Sequence, residues 1–306
     1  MNDPIPGGGS RPAPPPWRSL LYVPANNRRF IDKAHTRNAD GIILDLEDGV
    51  PPGERPGARE VLDDSVAKVA AAGADVLVRV NAGAADLDAD LEAAAIPGVT
   101  ALVVPKAESA EQIRALSARV SALEASRGIA AGVIRLLVLI ESPAGLLDAR
   151  AIAAADPRIV ALSLGSEDFA LETGMVADEE SLLLPKQWTL YAARAAGVVP
   201  LGLVGSIADY ADLEAMRRVA LRSRRLGFEG ASCIHPSAVP VLNDAFTPTE
   251  EEVAGARRVV TAYDTAVREG KGALQLDGKM IDAPVAERAA RLLSRWKAIA
   301  QRRAST

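Results

Sequence analysis

The chain has 306 residues, 49% of them hydrophobic and 25% charged, proportions ordinary for a globular protein with a sizeable apolar core. A formal net charge of −5 argues against a broad nucleic-acid-binding face, which takes clustered Lys and Arg, and no apolar run approaches the roughly 18 to 20 residues of a membrane span. Cys233 is the only cysteine, which excludes an intrachain disulfide and a zinc–thiolate site and makes the cytoplasm the expected compartment.

Residues 1–16, MNDPIPGGGSRPAPPP, are rich in Pro and Gly and lack the apolar centre of a signal peptide, which predicts a disordered or loosely extended tail outside the fold. Over residues 17–245 short β-branched runs alternate with Ala-rich stretches long enough for crossover helices. The runs are SLLYVP, GIILDLED, VLVRVN, ALVVPK, RLLVLIES, IVALSLGSED, VVPLGLVGS and GASCIHP. Eight such units predict an α/β fold, a (β/α)8 TIM barrel. Polar residues fall at the C-terminal ends of these runs: Glu47 and Asp48, Arg79 and Asn81, Lys106, Glu141, Glu167 and Asp168, and His235. In a TIM barrel that end is the catalytic face.

Residues 246–306 form a predicted C-terminal helical extension. A helix is expected across TPTEEEVAGARRVVTAYDTAVREG, with Thr249 as its N-cap and Gly270 as its stop. The turn-rich KGALQLDGKMIDAP, which contains Asp282, and a final amphipathic helix follow. The extension is longer than barrel closure requires, so it is expected to cover the barrel mouth or to pack on another subunit.

Glu141 and Asp168 stand in parallel positions, each just past an aliphatic run. A carboxylate there needs a cation or hydrogen bonds to offset its burial, and two carboxylates with the remaining positions left to water or substrate are the usual protein share of a working Mg2+ site. The alternative is that both cap the following helices or pair with arginines. Lys106, at a strand end, is a candidate for a Schiff base or for a structural or substrate-positioning ion pair. His235, ahead of Pro236, is a candidate acid or base, set against a role in holding the loop. His35, in a helical stretch, reads as a surface or packing residue. Arg28 and Arg29 read either as a phosphate-binding pair or as solvated helix-face charge.

The blocks RSLLYVPANN, ADGIILDLEDGV, VRVN, VVPKAES, IESPAG, LGSEDFA, GASCIHPSAVPVLNDAFTPT and LDGKMIDAP together resemble the citrate lyase beta-subunit-like family, within the wider HpcH/HpaI aldolase group, and most nearly its malyl-CoA and citramalyl-CoA lyases. The resemblance covers nearly everything from Arg18 to about Leu293. It implies a lyase that cleaves a 3-hydroxyacyl-CoA thioester to acetyl-CoA and a 2-oxo acid. It also implies Mg2+, with Mn2+ as a substitute, held by Glu141 and Asp168, and Arg79 acting on substrate oxygens. Glu47 and Asp48 would sit in the metal's surroundings as supporting residues, Arg28 and Arg29 near the CoA moiety, with Lys106 as a further substrate contact. Asp282 would move a proton at the acetyl methyl carbon, its other reading being the N-cap of the last helix ahead of Pro284. The assembly implied is a homotrimer or homohexamer in which the C-terminal segment of one subunit closes its neighbour's site.

The sequence departs from the family pattern around the seventh strand. Relatives resemble AIDGVYADFRD there, whereas this chain has GLVGSIADYAD, with Val204 at the acidic position, so substrate choice or the CoA contact is expected to differ. Two other readings stand beside the thioester lyase. One is a metal-dependent aldolase acting on a free 2-oxo-4-hydroxy acid, and the other a non-catalytic or carrier-dependent subunit of a citrate lyase-type complex.

Overall fold

A computed structural model describes residues 15–206 and 211–305. The predicted tail, apart from Pro15 and Pro16, lies outside the described residues, as does the IADY stretch (207–210) after the seventh strand. The chain divides into two compact units between Asp244 and Ala245.

The first unit is the barrel. Its strands are β1 (Ser19–Pro24), β2 (Gly41–Asp45), β3 (Asp75–Arg79), β4 (Val99–Val104), β5 (Arg135–Ile140), β6 (Ile159–Leu164), β7 (Val199–Leu201) and β8 (Ala231–Cys233). They run parallel in the order β7-β6-β5-β4-β3-β2-β1-β8. A parallel bridge between Leu201 and Gly230 joins the two ends of that order, and the Gly202 N–H donates to the Gly230 carbonyl at 2.8 Å. Parallel strands need crossovers, and helices such as Ala110–Ser126, Pro143–Ala154 and Glu179–Ala196 supply them. The seventh strand is shorter than the predicted run VVPLGLVGS: pairing with β6 ends at Leu201, and the next residue, Gly202, leaves the strand conformation with φ 149°.

Side chains alternate across a strand, so every second residue faces the barrel interior. Leu20, Ile43, Leu77, Leu137 and Leu139 belong to one buried apolar cluster, with Val103, Ala161 and Leu201. Two residues beyond members of that cluster the same faces carry Tyr22, Asp45, Arg79 and Glu141. The register that buries the core therefore aims these polar groups into the barrel's C-terminal mouth. Asp45 and Arg79 are also direct partners in the β2–β3 ladder, which brings opposite charges together at the strand ends.

Asn81, read in the sequence as part of the polar rim, is a buried brace beneath it. Its Nδ2 donates to the Leu46 carbonyl at 2.8 Å and to Asp90 Oδ2 at 2.8 Å, and Asp90 also accepts the Asn81 backbone N–H. This ties the end of β3 to the loop that follows β2.

The second unit holds two long helices that pack on each other, Glu250–Arg268 and Ala283–Ser305. Thr249 caps the first in a reciprocal capping box with Glu252. The segment read as turn-rich is an antiparallel hairpin of β9 (Leu274–Leu276) and β10 (Lys279–Ile281). Its two-residue turn is Asp277–Gly278, with φ of 50° and 76°, the positive pair that the tight hairpin turn demands and that Asp-Gly supplies. Arg257 lies over the Trp296 ring at 5.2 Å to the centroid.

Candidate active site

A cavity of about 380 Å³ opens at the C-terminal ends of the strands, lined among others by Tyr22, Asp45, Arg79, Glu141, Asp168 and Lys186. Size and position match the mouth of an enzymatic TIM barrel.

Arg79 is held from several sides. Its Nε and Nη2 donate to Asp45 Oδ1 and Oδ2, both at 2.7 Å, the bidentate fork that fixes a guanidinium in plane. Its Nη1 donates to Asp48 at 3.0 Å and lies 2.9 Å from Glu47 Oε2, without hydrogen-bond alignment for that second contact. Its Cζ sits over the Tyr22 ring at 5.0 Å, a cation–π contact. Asp45 accepts the backbone N–H groups of Glu47 and Gly49 as well, so the loop after β2 is organised around the same carboxylate. Burial works against the Arg79 charge, yet the Asp45 hydrogen bonds more than offset it and keep the guanidinium protonated. Burial likewise pushes the Tyr22 phenol above its ordinary range.

Glu141 lies buried one residue past β5, and burial pushes its carboxyl up to about 7, with the charges of Glu47 and Asp168 adding. Burial raises Glu47 as well, against the pull of Arg79. Lys106 adopts φ 52°, an uncommon conformation for a side chain of this size, and in it the Lys106 backbone N–H donates to Glu141 Oε2 at 2.8 Å. Its Nζ donates to Glu47 Oε1 at 3.1 Å and stands 3.9 Å from Asp168 Oδ1. Partial burial opposes the Lys106 charge, but the Glu47 hydrogen bond and the Glu47 and Asp168 charges hold its pKa above the usual lysine value. A protonated, ion-paired amine is a poor Schiff-base nucleophile, and the ion-pair reading describes what this side chain does.

Gly165 opens the helix Ser166–Thr173 that carries Asp168. A Cβ built there would lie 2.6 Å from Glu141 Cγ. The absence of a side chain at Gly165 thus makes the space in which the Glu141 carboxylate lies.

Among the described residues no group of three or more His, Cys, Asp or Glu side chains could hold a metal. What the chain offers is a converging carboxylate pair, Glu141 and Asp168, with Glu47 beside it and an ammonium already drawn between Glu47 and Asp168. These are hard oxygen donors; burial, with the charges of Glu47 and Asp168 adding, pushes Glu141 upward, and a divalent cation offsets both. Such a site, completed by water and substrate oxygens, fits Mg2+ or Mn2+.

Of the residues singled out in the sequence, Arg79, Asp48, Glu141, Glu167 and Asp168 line the cavity, and Glu47 and Lys106 bond to groups that do. Others stand elsewhere. Arg28 lines a separate groove of about 350 Å³ with Asn26, Glu54, Asp64 and Lys68, and Arg29 is an exposed neighbour on the same helix, Arg28–Ala34. His35 follows that helix, away from the cavity lining. His235 is exposed, its Nδ1 2.6 Å from the Ser237 hydroxyl, as the loop-holding reading expects. Val204 is buried, its N–H on the Ser223 hydroxyl at 2.9 Å; Gly202 and Leu203 are the cavity-lining residues of that segment. Asp282 lies in the second unit, where its Oδ1 accepts the Val285 N–H at 3.2 Å, the N-cap geometry.

Sequence reasoning missed Asp45, Tyr22 and Lys186. The first two were marked by strand alternation, each two residues beyond an inward-facing aliphatic. Lys186 gave no such signal, because it arises from the crossover helix Glu179–Ala196.

Known proteins resemble this chain over most of its length. A family model described as HpcH/HpaI aldolase/citrate lyase matches residues 18–236. The citrate lyase subunit beta of Haemophilus influenzae is 34% identical over 283 residues, covering 92% of this chain and 97% of that protein. The L-malyl-CoA/beta-methylmalyl-CoA lyase of Rhodobacter capsulatus is 33% identical over 292 residues, 87% of this chain and 90% of that one. Among solved structures, the CitE protein of Mycobacterium tuberculosis, in complex with magnesium, acetoacetate and coenzyme A, superposes with a TM-score of 0.71 at 33% identity, covering 94% of this chain and 100% of that one.

Proposed function

We propose, for a chain that belongs to the HpcH/HpaI aldolase/citrate lyase family, that it is a Mg2+-dependent carbon–carbon lyase cleaving a 3-hydroxyacyl-CoA thioester of the malyl-CoA, citramalyl-CoA or citryl-CoA type to acetyl-CoA and a 2-oxo acid. The observation that carries this reading is the Glu141 and Asp168 pair converging in one cavity beside the fixed Arg79 guanidinium.

The reaction breaks the bond between the hydroxyl-bearing carbon and the carbon next to the thioester. The hydroxyl loses its proton and becomes the carbonyl of the oxo acid. The electron pair of the broken bond passes to the thioester as an enolate, which takes up a proton to give acetyl-CoA. Glu141 and Asp168 would hold the divalent cation, which when bound supplies electrophilic polarisation of the oxygens on the oxo-acid portion. Arg79 supplies positive charge fixed before substrate arrives, because Asp45 and Tyr22 leave it no other orientation, and such preorganisation avoids the reorganisation cost that water would incur. Lys106 orients Glu141 through its backbone N–H and Glu47 through its ammonium. Asp282 is the proposed proton-transfer group at the acetyl carbon, supported by the resemblance in LDGKMIDAP. Arg28 and Arg29 are the proposed phosphate contacts of CoA, supported by the resemblance in VPANNRR. No helix among the described residues is long and apolar enough to cross a membrane, which accords with the proposed cytoplasmic site of action, and a homotrimer or homohexamer is the proposed assembly.

The test is turnover of malyl-CoA, citramalyl-CoA and citryl-CoA, with separate quantitation of acetyl-CoA, free CoA and 2-oxo acid, in Mg2+ and in EDTA. The reading expects acetyl-CoA and 2-oxo acid in equal amounts from at least one thioester, lost in EDTA and in Asp168→Ala. Free CoA without oxo acid would make the protein a thioesterase. Inertness towards all three, with cleavage of a free 2-oxo-4-hydroxy acid, would make it a free-acid aldolase, and activity only on a carrier-bound thioester a carrier-dependent subunit.

A further inference from the structure

Lys186 is the lysine of this chain that the fold buries without a counter-charge. Its side chain runs from the helix Glu179–Ala196 to the cavity wall, is 2% exposed, and donates from Nζ to the Leu164 carbonyl at 3.0 Å. An ammonium has three protons to donate, and among the described residues this carbonyl is the acceptor it has; no carboxylate stands within ion-pair distance. The acidic group whose charge it feels, Glu167, is hydrogen-bonded by the Ser206 hydroxyl. Burying a charge in this way is costly, and a fold carries it where something else offsets it.

The other cations of the site are committed. Arg79 is shared by Asp45, Glu47 and Asp48, and Lys106 by Glu47 and Asp168. Of the two cationic side chains that line the cavity, Arg79 and Lys186, Lys186 is therefore the one with charge to offer a ligand. Ser163, which precedes Leu164 on β6, also lines the cavity.

We infer that Lys186 is a substrate-binding cation that selects acyl fragments carrying a second carboxylate, so that the oxo-acid portion taken by this cavity is a 2-oxo dicarboxylate in preference to a 2-oxo monocarboxylate. The inference rests on the reading of the cavity as a 2-oxo acid site. One carboxylate goes to the metal and Arg79, and the second to Lys186 where it lines the same cavity. Burial without a counter-charge pushes the pKa of the Lys186 ammonium down to about 7, and an oxyanion beside it restores the charge.

The experiment is calorimetric titration of the Mg2+-loaded protein with oxaloacetate and with pyruvate, for wild type, Lys186→Met and Lys186→Arg, each checked by thermal melting. Wild type is expected to bind oxaloacetate on the order of tenfold to a hundredfold more tightly than pyruvate, the worth of one charge-assisted contact. Lys186→Met should erase that preference by weakening oxaloacetate alone, and Lys186→Arg should recover part of it. Equal binding of the two acids by wild type, or a preference that survives in Lys186→Met, overturns the inference while the 2-oxo acid reading stands. If wild type binds neither acid, the reading of the site fails and the inference with it. The wild-type preference is measured whether or not a variant folds.

Discussion

Gly165→Ala perturbs the Glu141 carboxylate without replacing any charged residue. The new Cβ would lie 2.6 Å from Glu141 Cγ and 2.9 Å from its Cδ, whereas carbon atoms rest about 3.5–4.0 Å apart. The Glu141 side chain must therefore move by about 1 Å. Metal–oxygen distances tolerate only about 0.2 Å, so the displaced carboxylate leaves its ligand position, and loss of such orientation weakens metal binding about 10- to 100-fold. The fold should survive. Gly165 has φ −77°, which alanine adopts freely; overpacking costs about 1–3 kcal/mol, and the stiffer unfolded chain returns about 0.4–1 kcal/mol. Calorimetric titration with Mn2+ and a thermal melt separate the two effects. A folded Gly165→Ala protein that binds Mn2+ as wild type does would refute the placement of Glu141 as a metal ligand.

The raised Glu141 pKa gives a signed pH dependence. The folded metal-free protein keeps a proton on Glu141 that the unfolded chain loses between its ordinary 4.5 and about 7, so this group lowers stability as pH rises through that window and adds no further slope above it. Relative to wild type in EDTA, Glu141→Gln should become progressively more stable from pH 4.5 to 7; a pH-independent difference in melting temperature counts against the assignment. Asp282→Asn separates cap from catalyst, since asparagine caps as well as aspartate: the melting temperature should hold while thioester cleavage falls at least about 100-fold, in the range of a lost general acid–base group. Unimpaired turnover would leave Asp282 as a cap only. Thr249→Ala removes the capping box and should cost about 1 kcal/mol in chemical denaturation with no change in Mn2+ affinity; an affinity change would show that the second unit bears on the metal site.

Much of this architecture was legible because a barrel is periodic. Aliphatic runs ending in charged residues marked the strands, and their number and spacing carried the closure. The Glu141 and Asp168 positions followed from where those runs stop. Asp45 was passed over because GIILDLED ends in three acidic residues and the sequence does not say where pairing with β3 ceases; the register does, by setting Asp45 opposite Arg79. The two-residue turn at Asp277–Gly278 carried a hairpin signal in a segment read only as turn-rich. Lys186 was illegible for a different reason. A lysine in a crossover helix ordinarily faces water, and its burial depends on how Glu179–Ala196 packs on β6 and β7, a tertiary fact that no local pattern encodes.

Glu141 and Asp168 are the proposed holders of the divalent cation on which the chemistry depends, and anomalous diffraction from crystals soaked in Mn2+ would locate that cation. A single strong peak is expected in the barrel mouth, about 2.0–2.2 Å from an oxygen of each carboxylate, and no peak there in Asp168→Ala. A Mn2+ peak elsewhere in the barrel, or none in crystals whose protein is active only with the metal, would contradict it.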